Sequence, residues 1–109
     1  MDSQLRERLL KLEAQITKLR DAEASYLTLE AHKKVLAAQL FLKASGKNVS
    51  EREANVYASK DWIVFSAGHV QAETEYNEQR RRYELLLKAY DAAHLTLKTE
   101  SAAIQRQVV

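Results

Sequence analysis

At 109 residues, with 46% hydrophobic and 29% charged side chains, the chain has the length of one domain and the composition of a folded one, which excludes an intrinsically disordered segment. It contains no Cys, no Pro and only two Gly, which excludes a disulfide framework and a thiolate metal site, and its wealth of Ala, Leu, Glu, Lys, Gln and Arg predicts an all-α fold. A net charge of +2 implies no nucleic-acid partner by itself, but residues 1–50 hold nine basic against six acidic side chains (+3) and residues 51–109 eight against nine (−1), so the basic excess sits in the first half.

The N-terminus, "MDSQLRERLL", is charged where a signal peptide would be apolar, and no apolar run approaches the roughly 18 residues that span a bilayer. A cytoplasmic protein with no membrane partner is expected. From Leu5 the apolar residues recur in steps of four and three through Leu9, Leu12, Ile16 and Leu19, then, after a shift of phase, through Leu27, Ala31, Val35, Ala38 and Leu42. This spacing predicts a helix over residues 3–44, with Asp2 or Ser3 as its N-cap. It should end where Gly46 takes a left-handed C′ conformation, with Lys43 at the negative end of the helix dipole.

In "VSEREA", Ser50 is the expected N-cap, Glu53 its capping-box partner, and Val49 with Ala54 the hydrophobic staple. A loop is therefore expected at 45–49. The following seam runs through Ala58, Phe65, Gly68, Ala72, Gln79, Tyr83, Leu86, Tyr90, Ala93, Leu97 and Ile104, predicting one long helix, or two nearly collinear ones broken near "SKDW" at 59–62, over 50–106. So short a loop makes the helices antiparallel neighbours. The whole chain, 1–109, is expected to be a single helical domain, an extended hairpin with coiled-coil-like seams, with a fold-back into three or four helices as the alternative.

The apolar residues exceed one seam, so self-association is expected. Leu9, Leu12, Ile16, Trp62, Phe65, Leu86 and Tyr90 are the expected oligomer interface. Gly68, inside a helical seam, predicts a tight helix crossing there.

Little points to catalysis. The two glycines are 22 positions apart, which excludes a phosphate-binding glycine loop. Of the histidines only His69 has a ligand-type neighbour at helical spacing, Glu73, and two ligands do not make a metal site. No convergent set of nucleophile, acid and base is present, so neither an enzyme nor a cofactor is expected. Two basic groups remain: Lys33, Lys34, Lys43 and Lys47 near the turn, and Arg80, Arg81 and Arg82 in "QRRRYELLLK". They are candidate phosphate contacts. Against that, Glu30 precedes Lys34, Glu78 precedes Arg82 and Glu84 precedes Lys88 by four, the order that forms surface ion pairs. In a hairpin with this turn, Lys33 and Lys34 should lie near Asp61.

The strings "LEAHKKVLAAQLFLKASG" and "ASKDWIVFSAGHVQAETEYNEQRRRYELLLKAYDAAHLTLKTESAAI" resemble the T4-type phage recombination mediator proteins (UvsY-like) over residues 29–105, chiefly through Glu30-Ala31-x-Lys33-Lys34-Val35 and the order of elements. The resemblance implies a ring-forming oligomer, encoded by a phage and working in the host cytoplasm. Such a protein binds single-stranded DNA and helps load a recombinase onto strands covered by a single-strand-binding protein. Lys33 and Lys34 carry over directly. Where the family has further basic residues a turn along the same helix, this chain has Ala38 and Leu40, leaving Lys43 and Lys47 to supply charge. A coiled-coil adaptor that binds no nucleic acid is the alternative.

Overall fold

The computed structural model describes residues 3–108. Three α-helices follow in order, α1 (Ser3–Lys43), α2 (Val49–Ala58) and α3 (Lys60–Val108), with no strand among the described residues. The fold is all-α, as the sequence predicts. None of its helices is long and apolar enough to cross a membrane among the described residues. Two compact units share α1 and α3: one runs up to Arg20 and resumes at Glu78, and the other is Asp21–Asn77.

Within the first unit, Arg8 Nη1 donates to Ala89 O (2.8 Å), and Gln15 Nε2 donates to both Gln79 O (3.0 Å) and Gln79 Oε1 (2.7 Å). The two glutamines are buried, at 5% and 6% exposure, and Gln15 shares its face of α1 with buried Leu5 and Leu12. A buried amide is tolerated only when its partners are met, so this pair fixes the register of α1 on α3. The second unit is antiparallel as well: Tyr26 stacks on Tyr76 (5.5 Å between centroids), and further along α1 His32 faces Phe65 (6.1 Å).

The α3 seam falls where the spacing puts it. Phe65, Ala72, Tyr83, Leu86, Tyr90, Ala93 and Leu97 are half-buried and Gln79 is buried, whereas Ala58, Gly68 and Ile104 are exposed. The α1 seam differs in its second half. Instead of shifting phase after Leu19, the inward face continues through Ala22, Tyr26, Leu29, Leu36, Leu40 and Phe41, all buried or half-buried. Leu27, Ala31, Val35, Ala38 and Leu42 face solvent, with Leu27 53%, Val35 49% and Leu42 79% exposed. Glu23, Glu30 and Lys33 interrupt the true seam and mask it, while the uninterrupted apolar stripe lies on the opposite side.

The turn also closes differently from expectation. Asn48, not Ser50, is the N-cap: its backbone is extended (φ −148°, ψ 175°) and its Oδ1 accepts from Glu51 N (2.8 Å). Asn caps at least as well as Ser, and Asn48 has its own acidic residue at N3, so the helix starts earlier and Ser50 lies inside it. Asp2, the other cap candidate, is outside the described residues. Gly46 has φ +158° and does not adopt the left-handed helical C′ conformation. Glycine is required there by that φ, which L side chains rarely adopt, and by a close approach, since a Cβ would lie 2.8 Å from Arg52 Cγ and 2.9 Å from Arg52 N. Arg52 terminates α1 in its place: Nη2 donates to Phe41 O (2.9 Å), Nε to Ala44 O (3.2 Å), and the guanidinium sits 4.4 Å from the centre of the Phe41 ring.

The break foreseen at 59–62 is a single residue. Ser59 has a non-helical backbone (φ −67°, ψ 148°); its N–H and hydroxyl both donate to Val56 O, and its Oγ accepts from Trp62 N (3.3 Å). One serine therefore ends α2 and caps α3. The tight crossing expected at Gly68 is absent, because nothing lies within 4 Å of where its Cβ would be. Gly68→Ala should accordingly stabilise the chain by about 0.5–1 kcal/mol, from helix propensity alone, and raise the thermal midpoint in a circular-dichroism melt. A lowered midpoint would reveal a partner packed at that position.

Candidate nucleic-acid interface

The lysines near the turn all belong to the second unit, and all are exposed: Lys33 and Lys34 on α1, Lys43 at its last position, and Lys47 in the loop. The ion pair expected between Glu30 and Lys34 does not form. Glu30 turns inward, and His69 Nε2 donates to its Oε1 at 2.6 Å. The hydrogen bond from His69, with a second from Tyr26, holds the Glu30 carboxyl below the usual carboxylate range against an opposing effect of partial burial. Partial burial, and then the Glu30 carboxylate, raise the Tyr26 hydroxyl above its ordinary value. His69, whose helical-spacing neighbour is Glu73, is thus a half-buried partner of Glu30 on α1, its side chain 12% exposed. Among the described residues no carboxylate forms an ion pair with Lys34.

Lys33 stands at a revealing register. It follows Leu5, Leu12, Leu19 and Tyr26 at steps of seven and precedes Leu40 by seven, so it occupies an inward position of α1, yet it is exposed. It can be exposed there because the chain opens into a groove of about 460 Å³ lined by Glu30, Lys33, Lys34, Ala37, Tyr57 and Trp62. Tyr57, near the end of α2, meets Trp62 edge to face at 5.2 Å, and Trp62 leans on Phe65 at 5.8 Å. The Ser59 break between α2 and α3 sets the Tyr57–Trp62 corner. Sequence spacing placed the lysine pair opposite Asp61, one residue from Trp62, which was the available signal for this groove; Tyr57 was missed because the break hides its position.

The arginine triplet belongs to the first unit. Arg82 pairs with Glu78 one turn earlier, as the spacing predicts; Arg80 has an interaction of its own; and Arg81 is exposed. This group is more fully engaged than the lysines. Of the residues expected to face another copy, Leu12 is buried within its own chain, and Leu9, Ile16, Leu86, Tyr90, Trp62 and Phe65 are half-buried. Large apolar side chains open to a partner also lie elsewhere, among them Leu27, Val35 and Leu42 on α1, and Ile63, Val64, Val70, Leu85, Leu95 and Ile104 on α3. Among the described residues no three His, Cys, Asp or Glu side chains are grouped to hold a metal ion. The chain matches no protein-family model, no curated protein and no solved structure.

Proposed function

We propose that this chain is a non-enzymatic, self-associating accessory protein of phage-type DNA recombination, which binds single-stranded DNA through its lysine group and assists the loading of a recombinase. The observation that carries this reading is the state of Lys33 and Lys34. One is an inward-register lysine held open to solvent, the other a lysine whose helix-face carboxylate has been drawn away to His69. An i−4 glutamate can pair with a lysine on a helix face, and here that glutamate is bound to His69. Lys43 and Lys47 add charge beside the turn, and self-association would repeat the group along a phosphate backbone. The recombinase and the single-strand-binding protein enter through the family resemblance alone.

A second reading, a structural adaptor that binds a helical partner and no nucleic acid, is favoured by the exposed stripe Leu27, Ala31, Val35, Ala38 and Leu42. Charge removal separates the two. Lys33→Ala with Lys34→Ala should weaken single-strand binding for every sequence tried and lower the slope of log affinity against log salt by about one to two units. Helicity should persist, since Ala is the best helix former. A folded double variant with unchanged affinity and slope would remove these lysines from the interface.

A further inference from the structure

We infer that the groove between α1 and the α2–α3 junction is a nucleobase-stacking subsite, in which an unpaired base of the strand lies against Trp62 and Tyr57 while Lys33 and Lys34 hold the adjoining phosphates. This inference rests on the proposed single-strand binding and goes beyond it, because phosphate contacts alone need no aromatic wall. Four observations converge on the groove. Its volume, about 460 Å³, lies within the range of roughly 300–1,000 Å³ typical of small-ligand sites. Its aromatic side chains are not sealed into a core: Tyr57 is 56% exposed and Trp62 half-buried. Its two cations stand on the α1 side, opposite the rings contributed by α2 and α3. Glu30, the one acidic residue that lines it, has its carboxylate engaged by His69, so its charge acts on Lys33 without a direct ion pair to either lysine.

The chemistry selects the occupant. A flat π-face beside ammonium groups fits an unpaired base with its phosphates, and stacking of this kind is tolerant of sequence because every base has such a face. A duplex keeps its bases stacked on one another and offers only phosphates to the lysines. The groove therefore discriminates strand from duplex, which the lysines cannot do unaided.

Trp62 is the only tryptophan, so its fluorescence reports on the groove directly. The full-length chain is titrated with an oligothymidylate, with an abasic strand of the same phosphate number, and with a duplex, at one low salt concentration. The expected result is quenching of Trp62 by the oligothymidylate alone, and an affinity for the abasic strand at least about fivefold weaker, the lower end of what one stacked base contributes. Tyr57→Ala, at an exposed position, should narrow that difference between the two strands. Equal affinity for both strands with unquenched Trp62 would overturn the stacking subsite and leave phosphate binding standing. Absence of binding to any strand would overturn both.

Discussion

Arg52→Ala should lower the stability of the folded chain by about 2 kcal/mol, the largest loss expected from any single change at the turn. Three contacts disappear together: two hydrogen bonds from the guanidinium to Phe41 O and Ala44 O, and its approach to the Phe41 ring. The last carbonyls of a helix have no partner within it, and a charged donor supplies one at the end where positive charge is favoured. A hydrogen bond to a charged group contributes about 1.5–3 kcal/mol and an exposed cation–π contact about 0.5–1, with the lower values fitting a half-buried side chain. Urea denaturation followed by circular dichroism measures the loss. Ser50→Ala is the control, because Ser50 lies inside α2 and its replacement should move the midpoint little. A variant as stable as the parent would show that the turn closes without Arg52.

Val35→Glu combined with Leu42→Glu should convert a self-associated protein into a 12.5 kDa monomer. The stripe Leu27, Ala31, Val35, Ala38 and Leu42 recurs at the four- and three-residue steps of a helix–helix seam, on the side of α1 facing away from α3. Apolar surface arranged in this way marks an interface, and carboxylates set into it would have to be desolvated or opposed to one another. The hairpin itself should be untouched, since Val35 and Leu42 are 49% and 79% exposed within it. Sedimentation equilibrium at micromolar concentration distinguishes the species. An associated parent and a monomeric, fully helical variant are expected; a monomeric parent would contradict self-association, and an associated variant would move the interface to another face.

The legible parts of this fold are those where one physical signal acted alone. Apolar steps of three and four from Phe65 to Leu97 place the α3 seam, Gln79 included, with Gly68 the exception. On α1 two stripes competed. The cleaner one, Leu27 to Leu42, looked like the seam because polar residues interrupt the other, and nothing local announces that Glu30 will be matched by His69 from 39 residues away. At the turn, Asn48 and Ser50 are both capable caps; the choice between them depends on Arg52 reaching back eleven residues to Phe41 O. Gly46 was recognised as a position of positive φ, but its conformation is not the left-handed helical one, and its contact with Arg52 was not visible. For the candidate site, the lysines were visible as charge and the aromatics as hydrophobes. Only the antiparallel register and the Ser59 break bring Lys33, Lys34, Tyr57 and Trp62 to one groove.

The most direct test of single-strand binding is fluorescence anisotropy of a labelled single-stranded oligonucleotide with the full-length protein, at 50 and 200 mM salt. If Lys33, Lys34, Lys43 and Lys47 each neutralise one phosphate, the affinity should fall about fifty-fold over that range, following the salt slope of single strands. Absence of measurable binding at 50 mM salt, or an affinity indifferent to salt, would contradict the account.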